Sequence, residues 1–209
     1  MLNFYYAPTS CALGCHIALE EAGAEFTAHR LNLLDAETVA AYRQINPKGT
    51  VPALRIDDHL ITESAAILWY IAQTFPAARL WPDTLLEQTE ALSVMSWLAS
   101  TVHIARRQSR APQRFTSDPA AFEALQARGR EAFIAHLQRL DQLYDGRTWL
   151  IGERISVVDC YVVAFMQWAR LDKIDMAAFA ALQTFTARML QRPATRRALE
   201  RERSVLVKG

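Results

Sequence analysis

Apolar side chains follow two rhythms along this chain. Residues 2–6 form a short apolar and aromatic run ended by Pro8, the pattern of a buried strand. Residues 11–22 carry Ile17, Ala18 and Leu19 within a helical stretch, with Gly23 placed as its C-terminal stop. Residues 25–32 alternate imperfectly through Phe26, Ala28 and Leu31 and predict a second strand. After a helical piece at 37–44, residues 53–56 and 59–61 flank Asp57-Asp58 as a hairpin, and residues 63–75 close the region with a helix. From Leu85 onward only the helical period remains, predicting helices over 87–110, 119–144, 156–170, 177–191 and 194–202. Ser156 and Asp159 open the third of these as a variant of the capping box.

The order βαβ then ββα is that of a thioredoxin-like domain, so the expected fold is an α/β N-terminal domain followed by an all-α domain. Turn signals crowd the first part and thin out after Pro76 and Pro82, which sets the expected boundaries at 1–76, a linker at 77–84, and 85–209. Charge divides there too. The first 85 residues hold five Lys+Arg against nine Asp+Glu, and the other 124 hold 18 against 13, so net −4 precedes net +5. The sum of +1 removes the strong field of a general nucleic-acid or anionic-membrane binder. Seven glycines are too few for all-β or collagenous classes, and 34 alanines favour helix. Three cysteines cannot make a disulfide framework, and with no secretory pattern at the start the expectation is a reduced, cytoplasmic protein. No apolar run reaches the roughly 18 residues a membrane-spanning helix needs, and no metal site is expected.

Chemistry gathers at three places. Tyr6-Ala-Pro-Thr-Ser-Cys11 sets a thiol where a strand meets a helix start, whose positive end and free N–H groups favour the thiolate. Cys15, one turn deeper, allows a redox pair only at an awkward spacing, and Cys160 sits among valines as a core residue. Val51-Pro52 follows Asn46-Pro-Lys-Gly-Thr, a setting in which an X-Pro bond can be cis and leave backbone of residue 51 free to pair with an extended ligand. Ile61-Thr-Glu63-Ser64 begins a helix, where Ser64 and nearby N–H groups can take a carboxylate while Glu63 takes an ammonium, together fitting an amino-acid zwitterion. The plain alternative is a helix cap beside a solvated glutamate.

These segments, with Trp97-Leu-Ala-Ser-x-Val-His103 and Ser156-Val-Val-Asp159 behind them, resemble a bacterial glutathione S-transferase, most similar to the beta class. The resemblance covers nearly the whole chain. It implies glutathione as co-substrate, lying on the first domain, with Val51 and Pro52 at its cysteinyl part and Glu63 and Ser64 at its γ-glutamyl end. Cys11 would face the glutathione sulfur, with Ser100 and His103 approaching from the second domain. The implied activity is conjugation to small electrophiles, with thiol-disulfide exchange through Cys11 as a further chemistry. The implied assembly is a homodimer, which opposite charge on the two parts would favour. A non-catalytic binding module would be expected to lack the Glu-Ser, Val-Pro or Cys positions, and all are present.

Three departures from the family pattern stand out: Ala12 after the cysteine, Ser96 where asparagine is common, and Arg43 without a lysine between Leu33 and Ile45, which leaves the glycine end of glutathione without an evident partner. Arg106, Arg107, Arg110 and Arg114 continue from His103 at helical spacing. They either line the substrate pocket and favour anionic groups or form a solvated face.

Overall fold

The computed structural model describes residues 1–207 of the chain. Strands β1 (Leu2–Tyr6), β2 (Phe26–Arg30), β3 (Ala53–Ile56) and β4 (His59–Thr62) form one mixed sheet in the order β2-β1-β3-β4. β1 runs parallel to β2 and antiparallel to β3, with Phe4 opposite Ala28 on one side and Leu54 on the other. The two-residue period then decides what each face meets. Phe4, Tyr6 and Leu54 enter the main core with α1 (Ala12–Glu21) and α3 (Ser64–Thr74), whereas Tyr5 and Ala53 pack on Tyr42 of α2 (Ala36–Arg43). Gly23, at φ +63°, ends α1 as expected: Ala24 N–H reaches the Leu19 carbonyl and Gly23 N–H the Glu20 carbonyl.

Six α-helices follow among the described residues: α4 (Leu85–Trp97), α5 (His103–Arg110), α6 (Phe122–Tyr144), α7 (Val157–Leu171), α8 (Ala180–Gln191) and α9 (Pro193–Glu202). The expected single helix over 87–110 is therefore two helices joined by a π turn, Leu98–Val102. The helix expected from 177 starts at Ala180, because Ala177 N–H donates to the Asp175 carboxylate and Phe179 N–H donates to the Met176 carbonyl, closing a separate turn first. Ser156 and Asp159 do form a capping box at the start of α7.

Helix α1 is buried on every side from Ala12 to Leu19, as a helix must be when enclosed by the sheet and α3 on one side and α7 and α9 on the other. Its approach to α7 requires Gly14. A Cβ there would stand 2.7 Å from the Tyr161 Cα. The end of α1 is fastened by charge: Glu21 takes a two-pronged contact from Arg192 (2.8 and 2.7 Å), and Glu20 pairs with Arg197 and Arg201. Part of the charge split between the two halves is thus satisfied inside one chain, and that part is not free to pair two copies. No helix among the described residues is long and apolar enough to cross a membrane.

Candidate active site

The loop from β1 to α1 fixes Cys11. Ser10 Oγ donates to the Ala7 carbonyl (2.7 Å) and accepts from Ala12 N–H (3.2 Å), so the serine, and not the cysteine, serves the first turn of the helix. Thr9 holds φ +65°, a conformation few non-glycine residues adopt, and its carbonyl accepts the Trp168 indole N–H of α7 at 2.8 Å. The helical half therefore helps hold the turn that presents the thiol.

Cys11 Sγ points to the Val51 carbonyl at 3.7 Å, and the Val51-Pro52 bond is cis. Both residues line a cavity of about 370 Å³ together with Lys48, Glu63, Ser64, His103, Arg107 and Tyr161. A second lobe of about 280 Å³ opens from the same Cys11, Val51, His103 and Arg107. At one end of the first lobe Glu63 takes φ +71° just before α3, strain of the kind retained at functional positions. Its carboxylate receives Lys48 Nζ at 3.0 Å, and Lys48 also donates to Thr62 Oγ1 at 2.8 Å. An ammonium already occupies the place where an amino-acid ammonium was expected. Ser64 follows as the first residue of α3, where helix N–H groups lack intrahelical partners and favour an anion.

The electrostatics revise one expectation. Burial pushes the Cys11 thiol up from its ordinary range, against the hydrogen bond from Ser64 and the charge of Arg107, which both favour the thiolate. The helix start does not make this group a resting thiolate, because only 7% of the residue remains exposed. Cys15 and Cys160 are pushed higher still. His103 is brought down to about 4 by burial first and by Arg107 and Arg106 next, so its imidazole is neutral at pH 7 and can donate or accept. It lies against Trp168 with ring centres 4.7 Å apart.

Residues 9–74 match the family model for the glutathione S-transferase N-terminal domain, and residues 102–193 the one for its C-terminal domain. The chain belongs to the glutathione S-transferase family. It is 28% identical to the glutathione S-transferase GstA of Escherichia coli O157:H7 over 207 residues, covering 96% of this chain and 98% of that one. Among solved structures, a sphingomonad glutathione S-transferase complexed with glutathione is 37% identical, with a TM-score of 0.85 and coverage of 96% and 98%. The bacterial beta-class enzyme of Sphingomonas chungbukensis is 34% identical, with a TM-score of 0.86 and coverage of 98% and 100%.

In this transferase the expected residues Cys11, Val51, Pro52, Glu63, Ser64 and His103 share one cavity. Ser100 does not join them. Its hydroxyl donates to the Ser96 carbonyl at 2.8 Å on an exposed face, and Ala99 lines the wall instead. The cause is the π turn: an α-helix would keep both Ala99 and Ser100 on the face of His103, but the extra residue per turn leaves only the i,i+4 pair, Ala99 and His103, on one face and swings Ser100 away. Arg106 is held two-pronged by Asp172 (2.7 and 3.0 Å) and lies over Trp168, so it braces the wall, while Arg110 stands 3.6 Å from the same carboxylate. Reading the sequence missed Lys48 and Tyr161. Lys48 had a signal in Asn46-Pro-Lys-Gly, but nothing local connects Tyr161 to Cys11.

Proposed function

We propose that the protein is an enzyme that holds glutathione in the cavity between its halves and joins its sulfur to small electrophiles. The observation that carries this reading is the convergence of Cys11, Val51, Glu63 and Ser64 from the sheet half with His103 from the helical half. In this reading the γ-glutamyl ammonium displaces Lys48 from Glu63, and its carboxylate takes Ser64 and the start of α3. Backbone of Val51 pairs with the cysteinyl residue, and neutral His103 receives or donates a hydrogen bond at the sulfur. Lys48, once released, supplies the lysine that the loop from 33 to 45 lacks. Burial keeps Cys11 as a thiol, which suits hydrogen bonding to a bound sulfur better than attack on a disulfide, so conjugation is the primary chemistry and exchange the secondary one. No step is assigned to a metal.

The wider reading is a cytoplasmic detoxification enzyme built as a thioredoxin-like domain at 1–76, a linker at 77–84 and a helical domain from 85. It acts as a homodimer, supported by the large apolar side chains left exposed at Trp69 on α3 and Leu92 on α4 (46% and 45%). The deciding experiment is thermal melting with glutathione. A ligand bound only by the folded state adds about 2.7 kcal/mol at a hundredfold excess over its Kd. Glu63→Ala is expected to remove most of that gain and raise KM for glutathione at least tenfold. An unchanged melting shift in the variant would take Glu63 out of the site.

A further inference from the structure

The second lobe beside Cys11 has an unusual wall for a place that receives electrophiles. Arg106, Arg107, Arg110 and Arg114 all line it, and no acidic side chain does. Asp172 lies behind the wall at 5% exposure, holds Arg106 and approaches Arg110. Arg107 and Arg114 have no acidic partner among the described residues. Trp168, a lining residue that is itself almost fully buried, is covered by the Arg106 guanidinium 4.6 Å from the ring centre and lies against the His103 ring. Arg107 is half-buried, like Arg106, and is shared with the first lobe, whereas Arg110 and Arg114 stand exposed at the rim. Its positive charge reaches the reacting centre, since it favours the Cys11 thiolate and disfavours protonated His103.

We propose that this lobe selects an electrophile carrying a carboxylate or similar anion, received by Arg107 with Arg110 and Arg114 gathering anions at the mouth. The inference rests on the conjugation reading and adds the substrate class to it. An unpaired guanidinium in a cleft offers two parallel N–H groups to a carboxylate, and low-dielectric walls strengthen the contact. Arg106 keeps its geometry because Asp172 and Trp168 hold it, so the wall does not collapse around an empty lobe. The exposed rim arginines raise the local concentration of anions in a salt-dependent way. In the reaction tested below, the glutathione sulfur forms a bond to the ring carbon bearing chlorine, chloride leaves with the electron pair of the broken bond, and the thiol proton passes to solvent.

The test compares 4-chloro-3-nitrobenzoate with 4-chloro-3-nitrobenzamide, each rate divided by the uncatalysed rate with glutathione at the same pH. The wild-type protein is expected to favour the acid at least tenfold in kcat/KM, and the preference to shrink as salt rises. Arg107→Gln is expected to lower the acid-to-amide ratio about tenfold, Arg107→Lys to restore part of it, and Arg114→Gln to lower it about threefold. Because each ratio is taken on one preparation, loss of folded protein does not imitate the effect. An amide used as well as the acid overturns the proposal. So does an Arg107→Gln variant that raises KM for glutathione with the ratio unchanged, since that assigns Arg107 to the tripeptide. If neither compound is turned over, the conjugation reading fails separately, and the unreactive 3-nitrobenzoate and 3-nitrobenzamide decide the lobe by calorimetry: equal binding overturns the proposal, preferential binding of the acid upholds the anion lobe.

Discussion

Asp159 and Glu202 are equally shut off from water, at 0% and 1% exposed, yet the chain surrounds them very differently. Asp159 receives the Tyr144 hydroxyl (2.8 Å), Leu150 N–H (3.0 Å), Ser156 N–H (2.8 Å) and the Ser156 hydroxyl (3.1 Å). Among the described residues Glu202 makes one side-chain hydrogen bond, with His16 Nδ1 at 2.9 Å, and its second oxygen and the other His16 nitrogen are left without partners. Burial raises both carboxyl groups, but four hydrogen bonds oppose it at Asp159, whereas Glu202 is pushed up to about 9 and His16 down to about 3. Together these values describe a pair that holds one proton between them at pH 7 and carries no net charge. The lesson is that both groups position the cleft, by opposite means. Asp159 fixes the start of α7, which brings Tyr161 and Trp168; Glu202 ties α9 to α1, which carries Cys11.

The largest effect is expected at the well-satisfied group. Asp159→Ala would strand two buried hydroxyls and two buried N–H groups, at a cost of about 3 kcal/mol or more, and Asp159→Asn less, because one acceptor oxygen survives. Urea unfolding measures both, and the contrast fails if Asp159→Ala costs no more than Glu202→Ala. An intermediate effect is expected where α1 meets α7. Gly14→Ala improves intrinsic helix propensity by about 1 kcal/mol, yet its Cβ meets backbone at 2.7 Å, and overpacking of that kind costs about 1–3 kcal/mol. The variant should be less stable than the wild type and also turn over more slowly, because α1 cannot move from α7 without moving Cys11. A more stable Gly14→Ala would mean that the two helices have room to part.

The same contrast explains what could be read from the sequence. Asp159 was legible because its partner Ser156 is three residues away, a distance set by one helical turn. Val51-Pro52, Glu63-Ser64 and the strand–turn–helix around Cys11 were legible for the same reason, since each is a local arrangement serving one end of an element. Glu202 and His16 are 186 positions apart, and no periodicity joins them. Ser100 was misplaced because a π turn leaves no composition signal, and the thiol of Cys11 was misjudged because a helix start is local while burial is not. The arginine stripe was visible, but Asp172 and Trp168, which separate the braced Arg106 from the free Arg107, come from α7 and the turn after it.

The smallest effect is a slope. An unfolded chain releases the Glu202 proton near 4.5, and the folded chain keeps it to about 9, so between those values the folded state binds more protons and loses stability as pH rises. His16 acts on the other side: it takes up a proton near 6.5 when unfolded and only near 3 when folded, so stability falls as pH drops through that interval. From about 4.5 to 6.5 the two offset each other, and above 6.5 Glu202 is left alone. Tyr6, Cys15 and Arg201 face the pair. Glu202→Gln keeps the shape and a hydrogen-bonding group beside His16 but removes the titration. Its melting temperature should therefore decline less than that of the wild type between pH 6.5 and 9. With one pKa unit worth about 1.4 kcal/mol and solvent relaxation reducing the full shift, the expected difference is on the order of 1–2 kcal/mol, a few degrees in Tm. Parallel curves for the two proteins would mean that Glu202 is already ionised in the fold and that the pair holds no extra proton above pH 6.5.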